Sequence, residues 1–303
     1  MATPHSDANS NIRPDEDILE DVWAAVWQAG TIRSSEMGSF SIMVQQGAVC
    51  LSGHMASEAN RSRIEACARS VPGVTAVRNE LVADRVLEFE VSQALGFDER
   101  TQPYLIRVSS AHGWVRLGGE VPCQEIQLAV EEVAGAVPQV RGVTSLPRVT
   151  GEGRAPARRA VQPRPGASIY GDNGQVGVVA QVVIDPRNRL VTHVVVRANE
   201  TLDAPRQRGP ADYLVPIEAF NIVNVESLFL ARGASSSAAY PLFDPAVCPP
   251  AAGDWRPPFP YATADVRWPL KGLEAVEDWP RPQRQPEWHL ADNTGAGRTT
   301  SGA

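Results

Sequence analysis

Few residue groupings in this chain of 303 residues could carry out chemistry on a bound substrate. Gly171-x-x-Gly174-x-x-Gly177 has the glycine spacing of a phosphate-cradling loop. It lies between two β-branched runs rather than between a strand and a helix, so no helix N-terminus would face a phosphate, and a hairpin turn is expected instead. Lys271 is the only lysine, and it stands in Pro269-Leu270-Lys271-Gly272. A P-loop needs a lysine directly after its glycines, so P-loop hydrolysis of ATP or GTP is excluded. Zinc sites usually draw two ligands from within a few residues. Cys50, Cys67, Cys123 and Cys248 offer no such pair and are expected to act as small hydrophobes. His54 and His193 have no second ligand or carboxylate at a useful spacing. No serine, cysteine or histidine has the setting of a nucleophile beside its base. The expectation is a chain that binds and is not an enzyme, with no metal and no cofactor.

The elements that would position binding residues come as a repeat. Gln46-Gly47-Ala48-Val49-Cys50-Leu51-Ser52-Gly53 returns sixty-six residues later as His112-Gly113-Trp114-Val115-Arg116-Leu117-Gly118-Gly119, and the match runs on to Val77 and Val143. In the first copy, Ile18, Leu19, Val22, Trp23, Val26 and Trp27 recur at helical spacing after Asp15-Glu16-Asp17, whose charges suit the positive end of a helix dipole. Phe40, Ile42 and Val44 alternate with polar neighbours and predict a strand, and Val49 and Leu51 return it. Ser57-Glu58-Ala59 opens a second helix, Pro72-Gly73 stops it, and a third strand runs through Val77 and Leu81. The second copy repeats each step, with Val86, Leu87, Val91 and Leu95 in its first helix and a loop about two residues shorter before its first strand. Each unit is thus expected to be α-β-β-α-β, over 15–83 and 84–149. Gly47, Gly53, Gly113 and Gly119 are expected as turn glycines, as are Gly174 and Gly177 further on.

The V-x-x-x-G-x-V-x-L-x-G arrangement in each copy, with V-P-G-V or V-P-x-V closing the second helix, resembles the BON domain (bacterial osmotic stress and nodulation). That resemblance implies contact with phospholipid surfaces or envelope proteins. On such a surface Arg61, Arg63 and Arg69 would supply positive charge, and Trp23, Trp27 and Trp114 would be interfacial anchors. The same arginines also suit a solvated helix face. Trp23 and Trp27, four residues apart on an apolar stripe, suit a core equally.

Residues 150–165, rich in glycine, proline and arginine, are expected as a linker. Beyond it, Gly166 to Leu230 supplies six short strands and no helix of length, which predicts a small closed or partly closed β-barrel over 166–232. The run G-x-x-I-Y-G-D-N-G-x-V-G-x-V-x-x-V-V-I-D (Gly166 to Asp185), then T-H-V-V-V-R (Thr192 to Arg197) and L-V-P-I-E-A-F (Leu214 to Phe220), resembles the PRC-barrel domain. That likeness implies a barrel that docks a protein. Residues 233–303 form a tail rich in proline and tryptophan, expected to be partly strapped to the barrel and then disordered, as are residues 1–14.

The formal net charge of −7 argues against nucleic acid as a partner, since that needs a broad positive surface. No stretch is long and apolar enough to span a bilayer. Met1-Ala2-Thr3-Pro4-His5-Ser6-Asp7 lacks the basic and apolar segments of a secretion signal. The chain is therefore expected in the bacterial cytoplasm, where the lipid contact implied by the BON resemblance would place it peripherally at the inner face of the membrane. The fold expectation is α+β: two tandem modules, a small PRC-type barrel and the tail. The functional expectation is an adaptor whose repeats contact a phospholipid or envelope surface and whose barrel docks an unidentified protein. The alternative is a cytosolic, stress-related interaction scaffold without lipid affinity.

Overall fold

The computed structural model describes residues 13–30, 36, 38–153, 158, 160–172, 174–199, 211–224, 226–231 and 240–269. The expected disorder of residues 1–14 and of the last part of the tail falls mostly outside them. The fold is α+β: two α/β modules with small sheets, followed by a curled β half-barrel sheet, with four α-helices among the described residues.

In the first module, α1 (Asp15–Gln28) and α2 (Glu58–Ser70) pack on a sheet of order β1 (Phe40–Gln45), β2 (Ala48–Met55), β3 (Ala76–Ala83). The helices form because Ile18, Val22 and Val26 on α1 and Ile64 and Ala68 on α2 fall on single faces, which they bury against Phe40, Val49 and Leu51. The Ser57 hydroxyl accepts from the Asn60 amide and caps α2. The second module repeats this with α3 (Asp84–Phe97), β4 (Arg107–Ala111), β5 (Trp114–Gly118), α4 (Gln124–Ala136) and β7 (Gly142–Ser145), around Leu87, Val91, Val115, Leu117 and Val130. A short parallel pair, β6 (Glu120–Val121) and β8 (Arg148–Val149), lies at its edge.

The two first helices are the same length and superpose in sequence at a spacing of 69 (Asp15 on Asp84), whereas the hairpins repeat at 66. The loop between them is therefore three residues shorter in the second copy. Both copies use the first helical residue in the same way. The Asp15 carboxylate accepts the amides of Gln46 (2.7 Å) and Gly47 (2.8 Å) at the tip of the β1–β2 hairpin. The Asp84 carboxylate accepts those of His112 (2.8 Å) and Gly113 (2.9 Å), and the Ser110 hydroxyl as well (2.8 Å). Gln46 and His112 both sit at φ 52°, followed by glycines also at positive φ, the conformation that twists a two-residue turn to match its strands. Asp15, expected to serve the helix dipole, thus also ties helix to hairpin, and Asp84 does the same in the second copy.

The third unit is a seven-stranded sheet of order β12 (Asp212–Pro216), β11 (Val191–Ala198), β10 (Gly174–Ile184), β9 (Ser168–Gly171), β14 (Ser227–Leu230), β13 (Phe220–Asn224), with β15 (Val266–Arg267) pairing with β10. It curls but its end strands do not pair, so the expected barrel is a half-barrel. One reason is that the β12 edge is already taken: the Leu214 amide donates to Pro241 and the Phe243 amide to Asp212. Gly177 is not a turn glycine. It lies inside β10, where a Cβ would run into the carbonyl oxygen of Arg197 on the neighbouring strand.

Residues 240–269 form a strap across this sheet. Tyr240, Ala251, Tyr261 and Val266 enter its main core beside Val182, Val194 and Val215. On the opposite face Cys248, with Phe243 against it, covers Val183, Val195 and Leu214. Both faces of β10, β11 and β12 are thereby buried, which is why these strands read as nearly continuous β-branched sequence instead of alternating.

Candidate functional site

Of the six surface-binding candidates, Trp23 and Trp27 lie on α1 and Arg61, Arg63 and Arg69 on α2 of the first module, while Trp114 lies in the second. The Trp23 ring packs on Phe40 at 5.4 Å within the first module's core. Trp114 lies under the Arg141 guanidinium, 5.0 Å from its carbon. Trp27 is half exposed, at 53%. Arg61 bonds the Leu81 carbonyl and pairs with Glu58, and Arg69 pairs with Glu65, so two of the three α2 arginines answer acids on their own helix. Arg63 is exposed.

Among the described residues, three of the ten exposed large apolar side chains lie on α3. Val86, Phe89 and Phe97 are 45%, 67% and 78% exposed, on the side of the helix that does not carry Leu87, Val91 and Leu95. At the spacing of 69, α1 has Asp17, Glu20 and Gln28 in these places. The two helices share a buried face and differ on the outer one, acidic in the first module and apolar in the second. The sequence pattern places Val86 in this helix with Leu87, Val91 and Leu95 and does not single out either phenylalanine. Aligning the helices by their core residues, not by the hairpin glycines, is the signal that would have found them.

Phe97 also forms one wall of a groove of about 550 Å³ between the C-terminal ends of α3 and α4. Ala94, Val133, Ala136 and Val137 line it, and Arg100 stands at its rim between Asp98 (2.9 Å) and Glu132 (3.1 Å). These pairs hold Asp98 below the usual carboxylate range and raise Arg100. The groove is apolar inside and carries no cluster suited to acid–base chemistry. Among the described residues no group of three or more His, Cys, Asp or Glu could hold a metal ion, and no helix is long and apolar enough to cross a membrane.

A second group of polar residues lies inside the protein, where the second module meets the half-barrel. Gly135 on α4 approaches the loop after β10 so closely that a Cβ would run into the carbonyl oxygen of Arg187. Buried Arg189 donates to the Gly135 carbonyl (3.1 Å), which is open at the C-terminal end of α4, and lies 5.1 Å over Trp255 of the strap. The Val143 amide of β7 donates to the Asn188 carbonyl (2.8 Å), so the sheet edge of the second module is closed by the half-barrel. Arg158 pairs with buried Glu131. Burial lowers Arg141 and Arg189 to about 10, each still charged at neutral pH.

Residues 14–85 and 83–151 each match the model of the BON domain. The chain carries two tandem BON domains. The half-barrel that follows them is not assigned to a family. BON domains are associated with membrane and phospholipid binding and with stress. No curated protein matches the chain. Among solved structures the chain is similar to CdsD, a structural protein of the type III secretion system of Chlamydia trachomatis, at 17% identity and a TM-score of 0.32, over 41% of this chain and 56% of that one. The C-terminal domain of the same protein matches at 18% identity and a TM-score of 0.29, over 39% and 56%. This chain thus spans little more than half the length of either.

Proposed function

We propose that the protein is a non-enzymatic adaptor, held peripherally at the inner face of a membrane by its second BON domain, with the half-barrel docking a protein partner. The observation that carries this reading is the exposed Val86–Phe89–Phe97 face of α3. A soluble surface rarely leaves two phenylalanines on one helix face open without an apolar environment to receive them. The groove beside Phe97 has the apolar lining an acyl chain requires. The acidic face of α1 would be repelled by an anionic leaflet, so the second domain is the one that seats.

The half-barrel's docking role rests on the PRC-barrel resemblance of Gly166 to Phe220. Its strap contributes to both faces of β10, β11 and β12 and covers the β12 edge. Among the described residues, Phe229 (39% exposed) stacks on Tyr170 at 5.1 Å and presents an exposed aromatic surface. A cytosolic stress scaffold without lipid affinity is the second reading, favoured by the net charge of −7.

Co-sedimentation with neutral and anionic vesicles at low and high salt separates them. Burying a phenylalanine contributes about 1.5–3 kcal/mol, so F89S/F97S should weaken binding more than tenfold at either salt. R61Q/R63Q/R69Q should leave it nearly unchanged. No binding by the unaltered protein to either vesicle would favour the scaffold.

A further inference from the structure

The two BON domains meet the strap at one buried point, and that point is built around a histidine. His54, at the end of β2, is 4% exposed. Its ring lies against Gly113 in the hairpin turn of the second domain, and stands edge-on to Phe259 of the strap at 6.3 Å. Its Nε2 is 2.6 Å from the Gln139 carbonyl oxygen, just beyond α4. A carbonyl can only accept, so Nε2 carries the hydrogen and Nδ1 holds the lone pair. Nδ1 is buried with no partner.

We propose that this joint is acid-sensitive, and that a proton taken up by His54 at Nδ1 separates the first BON domain from the second and from the strap. The added N–H would point at no acceptor, and a buried donor without an acceptor costs its full desolvation. The new cation would also stand beside Arg141, whose guanidinium carbon lies 5.4 Å from the same Phe259 ring and whose Nε donates to Gln162.

The charged and titratable groups facing the joint do not offset this. On α3, Asp84 is a negative charge that acts on His54, and its oxygens already accept from Ser110, His112 and Gly113. His112, in the turn, has its own buried Nε2 3.6 Å from Glu36. From the strap, the Tyr261 hydroxyl donates to Pro163 and stays neutral, its burial holding it far above the usual phenol range. Arg164 adds a further positive field at Arg141. Burial holds His54 at about 4, so it stays neutral while the joint is closed.

The test uses the full chain. Amide exchange at residues 110–116 and 137–142 is followed by mass spectrometry from pH 7 to 4.5, corrected for intrinsic rates, in the unaltered protein and in His54→Gln, whose amide can donate to Gln139 but does not titrate. A group moved from an ordinary to a buried setting with a shift of this size should weaken the joint by more than about tenfold between pH 7 and 5. Loss of protection in the unaltered protein but not in His54→Gln is the expected result. The same loss in both, or none in the unaltered protein, overturns the proposal. If His54→Gln fails to fold, the His54 ring proton is titrated by NMR: a midpoint coincident with the loss of protection supports the proposal, and a separate one overturns it.

Discussion

Single residues decide which copy of the repeat does what. At the hairpin spacing of 66, Gly135 on α4 falls on Arg69 of α2, so the half-barrel can approach the second BON domain and not the first. Gly135→Arg, which gives α4 the residue α2 carries, should destabilise the protein by more than about 2 kcal/mol, because it pushes against backbone and not against a movable side chain. Gly118→Ala is the control, since a Cβ there meets nothing nearer than 3.9 Å. Urea unfolding of the two variants checks this.

Buried histidines act at the same scale. Burial lowers both His54 and His193 to about 4, below the ordinary 6.5. Between those values the unfolded chain binds more protons, so stability rises with pH. The contribution is fully present above about pH 6.5 and is lost as pH falls towards 4, by roughly 3 kcal/mol for each histidine. Urea midpoints at pH 7.5, 6 and 5 should fall in that order, and His193→Gln should flatten part of the slope.

At the scale of elements, the sequence carried much of the fold because the elements obey local rules. The apolar spacing of α1, the Ser57 cap and the hairpin glycines each fix their element without help from distant residues. What was not legible depends on partners far along the chain. The β10 and β11 runs read as barrel strands, but that their second face is buried is set by Phe243 and Cys248, some sixty residues on. The half-barrel stays open because Pro241 to Phe243 lie on β12, and no local pattern announces that. The outer face of α3 is a different case. Leu87, Val91 and Leu95 recur every four residues and make the buried face by themselves, whereas Val86, next to Leu87, is off that spacing and belongs outside.

The strap is therefore part of the half-barrel's core. Truncation after residue 239 should leave the sheet with an exposed core on both faces. The expected outcome is loss of near-ultraviolet circular dichroism and gain of ANS fluorescence, with far-ultraviolet signal largely kept. An unchanged near-ultraviolet spectrum would mean that the strands pack without it.

At the scale of the whole molecule, a duplicated domain has divided its labour. The first BON domain keeps an acidic outer helix and is joined to the second through His54. The second closes its sheet edge and the end of α4 on the half-barrel, and leaves the apolar face of α3 to solvent. In the proposed adaptor the α3 face is the one that meets lipid and the half-barrel the one that docks a protein. The most direct measurement exchanges the outer faces of the twin helices: V86D/F89E/F97Q, which gives α3 acidic and amide groups matching those on α1, in vesicle co-sedimentation beside the unaltered protein. All three positions are well exposed, so the fold should hold, as circular dichroism will verify. The account predicts that the unaltered protein sediments with vesicles and the exchanged one stays in solution. Undiminished sedimentation of the exchanged protein would contradict it.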